Sequence, residues 1–476
     1  MVLAPFQPMT TSFPPHAVLL SFLFGFCVSC AAGPSASRKP QFTATEREIE
    51  LAAFDQVWTT VRDQYWDPKM AGIDWEGVRV ELEPAMREAS NRGATRAIMN
   101  QMLGRLGQSH FGVFGGEPPE EADSEPRAAK PSAGSGAGKP SAKRKPTREK
   151  PKSTGPSNHE TGCTLRALKG QAVVTHIEPD SPADQAGVKL GWILRSIAGR
   201  PVQKVISSMA KRPKSSASDL YMTMALNAGL RGTAGETRNL VFEDGDGEEV
   251  TLDVGVEPPR GTLTRLGNLG RVHVICDFHR RDDNIGYVRL SAFMDPTRVM
   301  AQFEKAIRSF VGCKGVIIDL RGNPGGLGIM ASGLAGWFVS ASGKSLGRMA
   351  TRAGEMKFAI FPRALSYPGP LAVVIDGASA STSEIFAAGM KDLGRARIFG
   401  STSAGAALPS VIAKLPNGDR FQYAIANCWS ANGHRIEGKG VEPHEIVEQD
   451  RSQLLQGRDA VIDAAVRWIG NAASNK

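Results

Sequence analysis

Two short stretches carry residues that could do chemistry together. In DGASASTSEIFAAGMKDLG (376–394), Ser379, Ser381 and Ser383 crowd the turn between an apolar strand, PLAVVI, and a helix. In DLRGNPGG (319–326), Gly322, Gly325 and Gly326 follow a second apolar strand, KGVIID. Glycines permit backbone conformations that side chains forbid, so such a turn can aim bare N–H groups at one point, as an oxyanion hole requires. Ser381, at a strand-to-helix turn, would present its hydroxyl with the Thr382 N–H pointing the same way. This is the logic of a nucleophile elbow without the G-x-S-x-G sequence. The pair of stretches reads as an acyl-transfer centre in which Ser381 attacks and Gly325, Gly326 and Thr382 hold the oxyanion. A serine hydroxyl needs a base at neutral pH. Lys391, on the helix after Ser381, reads as solvent-facing, so the base must come from elsewhere.

The elements that must position these residues form an α/β core, placed at 259–470. From Asn284 the pattern alternates strand and helix: NIGYVRLSAF, PTRVMAQFEKAIRSFV, KGVIIDL, GLGIMASGLAGWFV, PLAVVID and SEIFAAGMKDL. The apolar runs Val316–Ile318 and Leu371–Ile375 predict central strands covered on both faces. Upstream, 42–115 reads as a small helical unit. TEREIELAAFDQVWTTVRDQYW opens with a capping box of Thr45 and Glu48 and places Ile49, Ala53, Val57, Val61 and Tyr65 on one face. Further helices are predicted near Trp75–Arg87 and Thr95–Leu106, and the unit closes at LGQSHFGVF. Residues 116–161 are rich in Pro, Ser, Lys, Ala and Glu with almost no large apolar side chain, the composition of a disordered linker. In 162–258 strands return. Ser181 caps a short helix with Pro182 at its first position and Gly187 after its end. LGWILRSIAGRPV reads as strand, turn and strand, and RNLVFEDGDGEEVTLDV as a hairpin about Asp-Gly. This pattern resembles a PDZ domain, a module that takes chain ends as an added strand. Trp192 stands where many bacterial relatives have Asp.

The net charge of +9 is concentrated. Between Arg127 and Lys152 there are nine Lys/Arg against the single acid Glu149, and no aromatic residue. The folded remainder is near neutral, which argues against a nucleic-acid partner. Residues 1–32 read as an export signal: Ala17–Val28 is apolar, small residues follow, and the run is short for a membrane span. Cys30 precedes Ala-Ala-Gly, so three outcomes fit: lipidation of Cys30 and membrane attachment, ordinary cleavage nearby, or a single N-terminal anchor. The expected location is the periplasm or a membrane surface facing it. Cys163, Cys276, Cys313 and Cys428 are scattered with no CxxC and no paired His, so no zinc site is expected. Disulfides among them stay open.

The ordered series GYVRLSAF, GVIIDLRGNPGG, VVIDGASASTSEIFAAGMKDLGRARIFGSTSAG and GKGVEPHEIV resembles the carboxyl-terminal processing (tail-specific) protease family of serine peptidases. The resemblance implies a ClpP/crotonase-like α/β core behind a PDZ domain and a small helical domain. It implies an exported serine endopeptidase acting on proteins or peptides with exposed C-termini, with no metal or organic cofactor. It makes Ser381, the first Ser of STSE, the nucleophile. One departure matters. Most bacterial members take their base from a Lys in TFGKG; the segment here is STSAGAA, and the matching position is Ala406. The tricorn-like branch instead uses a His directly after a Ser in the helical domain and a Glu near the end of the core. Ser109-His110 in LGQSHFGVF and Glu437 in RIEGKGVEP match that pattern. The resemblance therefore implies His110 as general base and then acid, Glu437 as the group orienting or tuning the site, and Ser109 in its hydrogen-bond network. His434 is the reserve base. His273, His279 and His444 read as surface or structural. The competing reading is a protease-like scaffold that has lost its base and keeps peptide binding alone.

Overall fold

The computed structural model describes residues 42–116 and 159–474, apart from residues 213, 266, 269 and 270. The signal expected at 1–32, with Cys30, and the expected linker up to residue 158 (its residue 116 apart) lie outside the described residues.

The first unit packs three helices: α1 (Ala44–Gln64), α2 (Trp75–Glu88) and α3 (Arg92–Gly104). The capping box sits two residues earlier than the sequence reading placed it. Thr43 Oγ1 accepts from Glu46 N at 3.2 Å, and the Glu46 carboxylate accepts from Thr43 N at 2.8 Å. T-x-x-E occurs twice in overlapping register, and the longer helix gains further backbone bonds once nucleated. Ile49 is 39 % exposed, whereas Glu50 is buried. The reading of Ile49 as core is thus corrected, and Ala53, Val57, Val61 and Tyr65 are fully buried. The Trp58 and Trp75 indoles each donate to the other's backbone carbonyl, both at 3.1 Å, locking α1 onto α2. A short strand, β1 (Gly112–Phe114), follows the turn that carries Ser109 and His110.

In the second unit β2 (Cys163–Leu168), β3 (Gln171–Ile177), β4 (Ile193–Ile197), β5 (Thr237–Glu243) and β6 (Glu249–Gly255) form an antiparallel sheet in that order. Helix α4 (Pro182–Gln185) is capped by Ser181. Helix α5 (Ser218–Ala228) lies along the outer edge of β2. His159–Glu160 already pair with Arg231–Gly232, so the unit begins before residue 162. This arrangement is consistent with the PDZ expectation.

The third unit holds a six-stranded sheet of β7 (Cys276–Arg280), β8 (Ile285–Leu290), β9 (Gly315–Asp319), β12 (Leu371–Ile375), β13 (Arg397–Gly400) and β17 (Glu445–Ile446). The pair β7–β8 is antiparallel and the other pairs are parallel. Every residue of β9 and β12 is buried. One face packs on α6 (Pro296–Ser309), α7 (Gly328–Ala335) and α8 (Thr382–Asp392), and the other on α9 (Ala460–Ser474) through Val461, Ala465 and Ile469. A side sheet joins β11 (Gly354–Ala359), β10 (Ser345–Thr351) and β16 (Ala426–Ser430).

The boundary drawn between the helical unit and the core is too simple. The hairpin β14 (Ser410–Lys414) and β15 (Arg420–Ala424) leaves the core and pairs with β1, Gly112 opposite Gln422 and Val113 opposite Phe421. Leu415, Phe421 and Tyr423 share one apolar cluster with Phe54, Val57 and Met99. Asp419, 1 % exposed, receives two bonds from the Arg96 guanidinium at 2.7 and 2.9 Å. A bidentate charged pair in a buried place fixes geometry as well as contact. The helical unit and the core are therefore sewn together directly behind the Ser109–His110 turn.

Candidate active site

The two turns seen in the sequence are stitched to each other. Asp376, just after β12, accepts from Gly322 N at 2.8 Å and from Ala378 N at 3.0 Å. Ser379 Oγ donates to Leu320 O at 2.8 Å, and Ser383 Oγ donates to Asn323 O at 3.0 Å. Both of those serines are wholly buried and spent on structure. Ser381 is half-buried, and among the described residues its hydroxyl donates to no protein acceptor. It caps α8 at φ 55°, ψ −117°, a strained conformation for a non-glycine residue, and one that lifts the side chain out of the turn.

Two N–H groups of these turns are left unbonded. Gly326 N and Thr382 N find no protein acceptor among the described residues, while Thr382 Oγ1 donates to Gly326 O at 2.8 Å and holds the two turns in register. Gly325 N, by contrast, donates to Asn323 Oδ1 at 2.9 Å, so its contribution is clearance rather than donation. It sits at φ +97°, and a Cβ there would lie 2.7 Å from Ser381 Cβ and 2.8 Å from Thr382 N. Gly325→Ala is expected to displace the serine turn, lowering kcat/KM about 10²-fold and the unfolding temperature with it, as steady-state kinetics and a thermal melt would show.

The turn is held from below by Glu384, a residue the sequence reading passed over. Its carboxylate is fully buried and accepts four bonds: Ser381 N at 2.9 Å, Ser403 Oγ at 2.6 Å, Gly405 N at 2.6 Å and Ala406 N at 3.0 Å. Burial pushes its pKa up to about 7 against the pull of these donors. The signal was present in S-T-S-E, the same S/T-x-x-E pattern used to read the start of α1.

Ser109, His110 and Glu437 come together from opposite ends of the chain. Glu437, buried, accepts from Ser109 N at 2.8 Å, from Ser109 Oγ at 2.9 Å and from Ala407 N at 2.9 Å. Ser109 Oγ lies 2.7 Å from His110 Nδ1. The serine has one hydroxyl proton, and the carboxylate takes it, so Oγ must accept from Nδ1–H. That fixes the tautomer and leaves Nε2 with a free lone pair. His110 stands at φ 60°, and burial pulls its pKa from 6.5 down to about 4. No hydrogen bond joins His110 to Ser381 in this structure. The two are connected through one peptide unit: Ala406 O accepts from Ser381 N at 2.8 Å, and the N–H on the other side of the same unit, Ala407 N, reaches Glu437.

The remaining sequence candidates lie elsewhere. His434 has a side chain 76 % exposed, beside Asp392 at 3.8 Å. His444 Nδ1 accepts from Ile398 N at 3.0 Å and secures the β13–β17 end of the sheet. Lys391 Nζ donates to Glu442 O at 2.6 Å. Cys163, Cys276, Cys313 and Cys428 are all unpaired. Around Ala406, the position of the missing Lys, there is no room for a long side chain. Ala217, Leu220 and Tyr221 of the second unit pack on Ala380, Ala404 and Ala406.

Comparison with known proteins bears on the fold and the family. Residues 284–447 match peptidase family S41, and residues 50–104 match the tricorn protease C1 domain. A probable CtpA-like serine protease of Staphylococcus haemolyticus is 23 % identical over 315 residues, covering 62 % of this chain and 53 % of that protein. One from Staphylococcus epidermidis is 24 % identical over 303 residues, covering 62 % and 54 %. The chain thus spans about half the length of the curated relatives it matches. Among solved structures, the photosystem II D1 C-terminal processing protease superposes with a TM-score of 0.52 at 20 % identity, covering 90 % of this chain and 99 % of that one. Mature CPAF gives 0.58 at 15 % identity, covering 91 % and 99 %. These two likenesses speak to the fold. With the S41 match lying over both turns and the tricorn C1 match over the helices ahead of Ser109 and His110, residues 284–447 are those of an S41 serine peptidase.

Proposed function

We propose that the chain is an exported serine endopeptidase. Ser381 is its nucleophile, His110 its general base and then acid, and Ser109 and Glu437 the pair that orients the imidazole. The observation that carries this reading is the Ala406–Ala407 peptide unit, which ties the Ser381 backbone to Glu437. The middle unit, read as a PDZ domain, receives the free C-terminal segment of a polypeptide and delivers the chain to the core.

The chemistry follows from the hydrogen-bond order. His110 Nε2 takes the Ser381 proton as Oγ attacks the scissile carbonyl. The resulting oxyanion is met by Gly326 N–H and Thr382 N–H, which are already fixed by their turns and need no reorganisation. The imidazolium is stabilised through Ser109 by the Glu437 carboxylate, then returns its proton to the leaving amine. Water repeats the cycle on the acyl-enzyme. The step from Nε2 to Ser381 Oγ closes when substrate binds; catalytic hydrogen bonds commonly tighten only in the complex.

Purified wild-type protein is expected to cleave casein and the Ser381→Ala variant is not. Binding of C-terminal peptides without cleavage by wild type would establish the inactive-scaffold reading instead. The pH profile gives a second check. Neutral imidazole is the working form, and burial holds His110 far below the usual 6.5, at about 4. The acid limb of kcat/KM should therefore fall well below pH 6.5, with activity rising as pH increases through it and level to mild alkalinity. A limb centred on the free-imidazole value would remove the buried His110 from that role. Intact mass of the exported protein distinguishes lipidated Cys30 from ordinary signal cleavage.

A further inference from the structure

The outer edge of β2 is the place where an added strand would pair, since β2 has only β3 as a sheet neighbour. That edge is already occupied. Leu165 N donates to Asn227 Oδ1 at 2.9 Å, and Asn227 Nδ2 donates to Leu165 O at 3.0 Å. A side-chain amide bonded to both the N–H and the C=O of one strand residue reproduces the double bond that a facing residue makes in an antiparallel pair. Asn227 is anchored for this on α5, where Nδ2 also donates to Thr223 O at 2.7 Å and the adjacent Leu226 is buried against Leu165 in one apolar cluster.

We propose that Asn227 is a built-in competitor for the ligand strand, so that the groove between β2 and α5 is self-occupied until a polypeptide C-terminus displaces its amide. This rests on the reading of the middle unit as a receiver of C-terminal segments, and says how that site is regulated. The start of β2 is the end at which a chain terminus would stop, and it is built of tightly held backbone. Gly162 (φ +82°) is packed so closely that a Cβ would lie 2.2 Å from Ser181 Cβ. Its carbonyl and that of Thr161 are taken by Glu178 N and Ala183 N, both at 2.8 Å. Near the other end of β2 lies a cavity of about 240 Å³ between Arg166, Lys169, Asp219 and Met222 and, on the core, Asp376 and Gly400. A peptide stopped at Gly162 and running past Asn227 would send its upstream residues there, beside the turn that leads to Ser381.

The test uses the full chain carrying Ser381→Ala, so binding is read without chemistry and an inactive wild type would leave the readouts intact. The probe is a fluorescein-labelled peptide ending in Ala-Leu-Val with a free carboxylate, alongside its C-terminal amide. Asn227→Leu, which keeps bulk and removes the amide, is expected to tighten Kd for the acid about tenfold, roughly 1.4 kcal/mol. The amide should bind more weakly to both proteins. Hydrogen exchange at the Leu165 N–H should be slow in the parent, faster in Asn227→Leu, and slow again with peptide. Unchanged or weaker affinity in a variant that melts like the parent overturns the proposal. Equal binding of acid and amide overturns the choice of a chain end as occupant. Should Asn227→Leu fail to fold, the Asn227 side-chain amide resonances of the parent decide the matter. They must shift on peptide addition, and resonances that stay in place overturn the displacement.

Discussion

His110→Asn is expected to lower kcat/KM roughly 10²–10⁴-fold, the usual worth of a positioned general base, with the fold intact. Asn is the informative replacement because position 110 stands at φ 60°, a region Asn tolerates and Ala does not. A loss of activity in this variant is then a loss of chemistry. Ser109→Ala should lower activity by a smaller factor, since Nδ1–H loses the acceptor that fixes its tautomer while Nε2 remains present. The double variant should be no worse than His110→Asn alone, because residues that act as one unit are not additive. Steady-state hydrolysis of a quenched peptide checks all three. Wild-type kcat/KM in His110→Asn would sink the mechanism and leave Ser381 without a base.

Glu384→Gln should be the most damaging single-atom change near the site. Each carboxylate oxygen of Glu384 receives two donors, two of the four being at 2.6 Å. An amide nitrogen in either position brings N–H groups against N–H or O–H groups, with no water to intervene. In either orientation one buried backbone donor, Gly405 N or Ala406 N, loses its acceptor, which costs about 1–3 kcal/mol. The loss falls on the Ser381 turn and on residues 403–406 together, so activity should drop along with the denaturation midpoint. Glu384→Asp, which keeps the charge but shortens the reach, should recover part of the stability and little of the activity. Chemical denaturation alongside kinetics separates the two. A Glu384→Gln protein with wild-type stability would show that the four-donor arrangement contributes nothing.

The strand-to-helix turn that carries Ser381, the glycine turn at 322–326 and the alternation of strand and helix were legible because each is local: Ser381 and Thr382 are adjacent, and the buried runs 316–318 and 371–375 announce central strands. Ser109, His110 and Glu437 were legible only through resemblance, because 328 residues separate Ser109 from Glu437. No local rule of spacing or periodicity spans that distance. Three features escaped for distinct reasons. The hairpin 410–424 looked like core because its apolar alternation carries no mark of which sheet it will join. Glu384 was passed over because three of its four donors come from loops 19 to 22 residues on, beyond any local pattern. Asn227 sits in the last turn of α5, where an amide normally reads as solvated. Gly325, read as an oxyanion donor, has its N–H committed to Asn323, a side chain two residues before it.

The pairing of β1 with β15 has a consequence for when the proposed site can assemble. A ribosome releases the segment bearing His110 early and the one bearing Ser381 much later. Residues 420–422, which clasp the first to the second, come later still, and Glu437 after them. Contacts so remote along the chain form late in folding. On the proposed roles, a nascent or half-folded copy holds Ser381 before His110 is in place, so latency would be written into the topology.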